Sequence, residues 1–350
     1  MNFLNSAKEA CSSESVEYIF KTNVPEGQEC YDAACELADE GCSIIFADSF
    51  GHEDYMIQAA QAFPNVEFCH ATGTQAHTVN LPNFHNAFAS IYEGRFLAGV
   101  AAGLKLNEMI ANEEFAADEA NVGYVGAFPY AEVISGYTSF FLGMRYVCPT
   151  VKMSVSYTGS WYDQTLEQEA AHYFVENGYK LVSQHADSMG APSECENAKV
   201  PNVSYNGSTI DACPNTFMVS SRINWTPYFV YIINCVKNNE AIDIDWTGTI
   251  ETGSVELTDF NDKVCAAETA ETVNAIKEKL ISNEIHVFDV NTFTVNGETL
   301  TEYMADVDTD SNYEADTQVV ADGYFHESEY RSAPYFDIII DGITILATGG

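Results

Sequence analysis

The stretch 43–71, SIIFADSFGHEDYMIQAAQAFPNVEFCHA, decides the fold class. Ser43–Ala47 is a short apolar run that suits a strand buried on both faces. His52–Phe63 carries apolar residues at helical spacing, Pro64-Asn65 marks a turn, and Val66–His70 reads as a second strand. Two strands joined by a single helix run parallel, because only a crossover connection fits that length. Upstream, Gly27–Glu40 reads as a helix stopped by Gly41. Downstream the spacing predicts one long helix from about Phe84 to Leu106. Strand Asn121–Ala127, helix Val133–Met144, strand Val151–Tyr157, helix Thr165–Asn177 and strand Lys180–Gln184 follow. The alternation implies an α/β protein with parallel sheets covered by helices on both faces. The acidic stretch 107–121 suits a crossing between two such units. The tail from about His286 is different. It is rich in Asp, Thr and Asn, with short strands Tyr335–Ile340 and Ile343–Leu346 around an Asp341-Gly342 hairpin turn.

Composition narrows the function. Fourteen Lys and Arg stand against 52 Asp and Glu in 350 residues, a net charge of −38. Nucleic acid is bound by clustered cations that release counterions, and here cations are sparse, so nucleic acid is excluded as a partner. At 46% hydrophobic the chain is globular, and its length suits two domains. The apolar runs 96–104 and 228–236 are far too short to span a bilayer. The first residues, MNFLNSAKEAC, carry neither an export signal nor a lipid-attachment motif around Cys11.

Chemistry-bearing motifs are few. The ten cysteines contain no C-x-x-C, so they read as buried thiols, with Cys195 and Cys213 the pair placed to bridge if any does. No phosphate loop, nucleophile elbow or H-E-x-x-H is present, and no cofactor is expected. Asp306, Asp308 and Asp310 open like a calcium loop, but Ser311 and Thr317 stand where Gly and Glu are needed, which leaves a solvated acidic loop. Asn202, Asn206 and Asn224 each begin a short N-x-[ST] sequon.

Polar and aromatic residues instead gather just after strand ends, in 49–52 (SFGH), 159–163 (GSWYD), 184–188 (QHADS) and 204–208 (SYNGS). In open parallel sheets ligands bind where such loops and helix N-termini converge. Taken singly, Phe50 and Trp161 suit a core and His185 and Asp187 suit a helix cap. Together the four loops predict a cleft for a flat, polar small molecule.

At these loops the chain resembles the basic membrane protein family of substrate-binding proteins for ABC transporters, which includes purine nucleoside receptors. The stretches that carry the resemblance are SFGHEDYMIQAAQAFPNVEFCHATG, IYEGRFLAGVAAG, VGYVGAFPYAEVISGYTSFFLGMR, GSWYDQTLEQEAAHYFVENG and SQHADS, within about residues 24–260. The resemblance implies a type I periplasmic-binding-protein fold, two Rossmann-like lobes joined by a hinge. By analogy the first lobe is 1–118 plus 217–245, the second 119–216 plus 246–285, and 286–350 forms a small β-rich extension. It implies a purine nucleoside or nucleobase in the inter-lobe cleft, held by Phe50, Trp161, Asp163, His185, Asp187, Asn206 and Trp225, with Phe50 and Trp161 sandwiching the base. It also implies delivery to an ABC permease and ATPase, and an extracytoplasmic, lipid-anchored location. Two features depart from the family pattern. Asn206 stands where several nucleoside receptors have Asp, and a neutral amide accepts from ribose hydroxyls more weakly than a carboxylate. The chain also starts at a helix that relatives precede with a signal peptide, a lipid-modified cysteine and a first strand, so an upstream strand and lipobox are expected in frame. A ligand sensor on the same fold is the alternative. An enzyme built on His185 and Asp187 lacks a nucleophile, metal or cofactor beside its base.

Overall fold

Short strands buried on both faces alternate with helices that cover them. The computed structural model describes residues 2–307, 312 and 314–346; Asp308, Asp310 and Ser311 of the acidic loop lie outside the described residues. The chain opens with α1 (Asn2–Glu14), α2 (Gln28–Asp39), β1 (Ile44–Ala47), α3 (Glu53–Ala62), β2 (Glu67–Ala71), α4 (Ala76–Val79), β3 (Phe84–Ala89) and α5 (Ile91–Ala111). It continues through β4 (Asn121–Gly126), α6 (Ala131–Val147), β5 (Lys152–Tyr157), α7 (Gln164–Glu176), β6 (Leu181–His185), α8 (Gly190–Ala198) and β7 (Asn202–Tyr205). Then come β8 (Phe217–Ile223), α9 (Thr226–Asn238), β9 (Asp245–Gly248), β10 (Val255–Leu257) and α10 (Thr269–Ile281). Short strands β11 (Met304–Ala305), β12 (Thr317–Gln318), β13 (Val320–Ala321), β14 (Tyr324–Phe325) and β15 (Ile343–Ile345) complete it.

Two sheets result. The first has the order β1-β2-β3-β9, all parallel; the second has the order β10-β8-β7-β6-β4-β5-β15, parallel except for the antiparallel β10–β8 pair. The α/β two-lobe architecture expected from the sequence is therefore present. The chain passes between lobes at Ser90, at 224–225 and at 249–254.

Three expectations are corrected. The long helix from Phe84 begins instead at Ile91, because Phe84–Ala89 is a strand buried at all six positions between β2 and β9. Periodicity cannot separate a short, doubly buried run from a helix. Its polar members are satisfied: Asn86 Oδ1 accepts from Ala76 N at 2.8 Å, and His85 Nε2 lies 2.9 Å from Glu67 Oε2. The lobe boundaries move as well. Residues 217–223, expected in the first lobe, are β8 inside the second sheet, whereas β9 at 245–248 completes the first sheet. Helix α5 belongs to the second lobe, packed on α6 so closely that a Cβ on Gly99 would lie 2.1 Å from the Phe140 carbonyl oxygen. The first crossing is thus at Ser90 and not in 107–121. Finally, residues 335–340 form no strand, and Ile343–Ile345 pairs parallel with β5 in place of a hairpin.

The ten cysteines are free, Cys195 and Cys213 both buried. Asn202 is 0% exposed and its amide donates to the Val182 carbonyl and to Gln184 Oε1, so that sequon is closed to modification. No helix among the described residues is long and apolar enough to cross a membrane.

Candidate functional site

The carboxyl ends of β1, β4, β5, β6 and β7 bring aromatic rings and carboxylates from both lobes together. From the first lobe, Phe50 follows β1 in a 3-10 turn. Its loop is held from behind by Glu26 Oε1, which accepts from Ser49 Oγ at 2.6 Å and Gly51 N at 2.9 Å. Phe50 is 41% exposed and stacks across the cleft on Tyr130, 39% exposed, at 5.0 Å and 23°. Tyr130 also stacks on Phe128 at 5.0 Å and 15°. Trp161 meets Phe128 edge-on at 5.4 Å, Tyr130 at 6.2 Å and His185 at 6.4 Å. His185 in turn touches Tyr205 at 4.4 Å, and the Arg95 guanidinium lies over the Tyr205 ring at 3.6 Å.

Of the seven residues the sequence singles out, Phe50, Trp161 and His185 join one aromatic network. Asp187 adjoins it, its N–H donating to the Trp161 carbonyl at 2.8 Å. Asn206 follows Tyr205 at the end of β7 in the left-handed region, φ 61°, with its N–H bonded to Ser221 O at 2.9 Å. Asp163 caps α7, accepting from the N–H groups of Thr165 and Leu166 at 3.0 Å each. Trp225 is 6% exposed in the first-lobe core, in ring contact with Phe3, Phe46, Phe88 and Tyr228. Tyr130, not Trp161, is the ring that Phe50 faces. Sequence reasoning passes over Phe128, Tyr130, Glu132 and Tyr205, although the stretch GAFPYAE follows β4 as the other loops follow their strands. It also passes over Arg95, a buried cation in the apolar first half of α5.

Electrostatics set the character of this cleft. Asp48 of the first lobe and Asp187 of the second are both exposed at the carboxyl ends of β1 and β6. Burial raises the pKa of each. Asp187 is pushed up to about 6, burial first and then the charges of Glu132, Glu167 and Asp48. Burial pushes Glu132 up to about 7, with Arg95 opposing. His185, 2% exposed, is held well below its ordinary value by burial and then by Arg95, so it is neutral. Its Nε2 lies 3.3 Å from Glu132 Oε1, while Nδ1 rests unpartnered where a Cβ on Gly136 would come within 2.9 Å. Arg95 is 1% exposed; its Nη1 donates to the Gln184 carbonyl at 3.2 Å, and Nε and Nη2 have no partner. The arrangement offers ring faces, a neutral imidazole and carboxylate acceptors. No group of His, Cys, Asp or Glu among the described residues is placed to hold a metal. Two cavities of about 430 and 440 Å³ lie elsewhere, one beside Val255–Phe260 and Val273, the other beside Glu93 and Tyr324. At the aromatic cleft the rings of Phe50, Tyr130 and Phe128 lie in contact with one another.

These titrations predict an inverted pH profile of stability. Burial pushes Glu93, Glu132 and Glu327 each up to about 7, above their unfolded values. The folded protein therefore holds those protons to higher pH than the unfolded chain, and that stability is lost as pH rises through about 7. His70 and His185 are lowered by burial, so they withdraw stability as pH falls below about 6.5. Three raised carboxyls outnumber two lowered imidazoles, so the folded protein binds more protons than the unfolded chain down to about pH 5, and stability should rise from pH 8 to about pH 5. Each tenfold change in a group's proton affinity on folding is worth about 1.4 kcal/mol. The gain over pH 8 is then a few kcal/mol, on the order of 5 °C in melting temperature. Scanning calorimetry from pH 5 to 9 checks this, and Glu327→Gln should raise the pH 8 value; a profile flat from pH 6 to 8 would contradict it.

Comparison with known proteins agrees with the two-lobe fold. A family model described as Bmp, ABC transporter substrate-binding protein PnrA-like, matches residues 3–291. A purine-binding protein of Brucella abortus is 31% identical over 217 residues, 62% of this chain and 58% of that protein. A putative ABC transporter glucose-binding protein of Haloferax volcanii is 27% identical over 259 residues, 74% of this chain and 62% of that protein. The chain thus spans about three-fifths of the length of these relatives. A solved ABC transporter solute-binding protein from Aeropyrum pernix superposes with a TM-score of 0.68 at 16% identity, covering 82% of this chain and 88% of that one, which shows the shared two-lobe fold. With its family model covering most of the sequence, the chain belongs to the Bmp family of PnrA-like ABC transporter substrate-binding proteins.

Proposed function

We propose that this protein captures a purine nucleoside or nucleobase between its lobes and delivers it to the permease and ATPase of an ABC importer. The observation that carries the reading is the stack of Phe50, from one lobe, on Tyr130, from the other, at 5.0 Å. A purine is flat and apolar on its faces and polar at its edge. Phe50, Tyr130 and Trp161 supply faces; His185, Asp187 and Asn206 supply edge and hydroxyl partners. Entry of a base requires the two stacked rings to separate by roughly 3.5 Å, one van der Waals thickness, so binding and lobe motion are one event. Asp163 and Trp225 support this set from a helix cap and from the core. The purine-binding relative favours this ligand class, and the glucose-binding relative supplies the rival. The chain's place is extracytoplasmic and lipid-anchored at the cell membrane, which fractionation of the source cells tests.

A thermal-shift screen of nucleobases, nucleosides and sugars is the first test, since a ligand that binds only the folded state raises the melting temperature by mass action. Small-angle scattering with a hit should show a larger radius of gyration than without it, because the lobes must part to admit the base between the stacked rings. An unchanged radius at saturation would count against a clamp. Chromatography of the incubated purine should return it intact; turnover would favour an enzyme.

A further inference from the structure

Beyond residue 291, where the family model stops, the chain joins the two lobes a further time outside the crossings. Its far end is fixed to the second lobe. β15 runs parallel to β5 from Ile343↔Met153 to Ile345↔Val155, Leu346 N donates to the Val155 carbonyl at 2.8 Å, and Arg145 of α6 donates to the Asp341 carbonyl at 3.4 Å. Between β14 and this anchor, residues 326–336 form a loop bonded to itself. The Glu327 carboxylate, 1% exposed, accepts from Tyr335 N at 3.3 Å and Phe336 N at 2.9 Å, while the Tyr335 hydroxyl donates to the His326 carbonyl. Phe336 stacks on Phe288 at 4.3 Å. A loop closed in this way moves as one piece. Its outer side meets the first lobe at β9, the edge strand of that sheet. Ser332 N donates to Asp245 Oδ2 at 2.8 Å, and Thr247 Oγ1 donates to the Ser328 carbonyl at 3.3 Å. The Asp245 side chain is 13% exposed, with His77 Nδ1 at 3.9 Å and the Arg331 charge beside it.

We propose that loop 326–336 is a tether that holds the lobes at the angle where Phe50 meets Tyr130, with Asp245 and Thr247 as its positioning residues on the first lobe. The inference rests on the clamp reading above and not on which ligand the clamp takes. Rotation about the crossings separates β9 from the loop, and a hydrogen bond to a carboxylate withdrawn from water is costly to leave unmade. Contacts made at that angle raise the population of the ring-stacked arrangement, which a base must part to enter, so they lower apparent affinity by the fraction of open protein they remove.

The test compares Asp245→Ala, Thr247→Val and Asp245→Asn, the last keeping an acceptor for the Ser332 amide. Scattering from ligand-free protein is the deciding readout. Asp245→Ala should give a larger radius of gyration than wild type, Thr247→Val a smaller increase, and Asp245→Asn the wild-type value. Titration with adenosine and adenine should show binding to Asp245→Ala about tenfold tighter, although no cleft residue has changed. A purely structural role would lower melting temperature and leave the radius of the folded protein alone. An unchanged radius in the folded Asp245→Ala and Thr247→Val variants overturns the tether. If Asp245→Ala does not fold, Thr247→Val decides by itself. Scattering uses no ligand, so this failure is distinct from failure of the purine reading, which appears as wild-type protein that binds neither purine.

Discussion

Phe50→Ala is expected to weaken purine binding roughly 5- to 150-fold while leaving the melting temperature close to wild type. Stacking on an aromatic ring is worth about 1–3 kcal/mol by alanine substitution, and Phe50, at 41% exposed, contributes little to the fold. Trp161→Ala should fall in the same range, since Trp161 touches Phe128, Tyr130 and His185 without being fully buried. Trp225 provides the contrast. It is 6% exposed among four aromatic neighbours, so Trp225→Ala should cost about 3–5 kcal/mol of stability and leave the affinity of the remaining folded protein nearly intact. Calorimetric affinity and melting temperature on all three variants decide the matter. Unchanged affinity in both Phe50→Ala and Trp161→Ala would remove the rings from the site.

Gly99→Ala and Gly143→Ala should destabilise the second lobe by about 3 kcal/mol each, the upper end of overpacking costs. On an exposed helix the same change would stabilise by up to about 1 kcal/mol through propensity. Here the steric term wins. A Cβ on Gly143 would lie 2.0 Å from the Phe96 carbonyl oxygen and one on Gly99 2.1 Å from that of Phe140, so backbone would have to move away from backbone. Gly207, with nothing within 4 Å of a Cβ and no positive φ, is the control, and Gly207→Ala should be neutral. Urea denaturation of the three variants measures the difference; equal midpoints would mean that α5 and α6 do not pack as closely as described.

Much of the fold is legible in the sequence where local patterns carry the information. Strand β1, helix α3 and strand β2 fall where apolar runs, helical spacing and Pro64-Asn65 put them. What fails is non-local. Phe84–Ala89 reads as the start of a helix because nothing in the run reveals that β2 and β9 flank it. Residues 217–223, assigned to the first lobe by family analogy, lie in the second sheet, and Ile343–Leu346 reads as half of a hairpin although its partner β5 is distant in sequence. At the cleft, the rule that ligands gather after strand ends finds Phe50, Trp161, His185 and Asp187. It does not reveal that the Asp163 carboxylate caps α7, nor that Trp225 lies in the core while Tyr130 faces Phe50. Arg95 is invisible for a physical reason. Its role depends on a Tyr205 ring 3.6 Å away that the fold brings from more than a hundred residues along the chain.

Calorimetric titration of the wild-type protein, side by side with purine bases, purine nucleosides and glucose, tests the central claim most directly. Saturable one-to-one binding of a purine with no heat from glucose is the predicted result. Glucose binding with no response to any purine would contradict it.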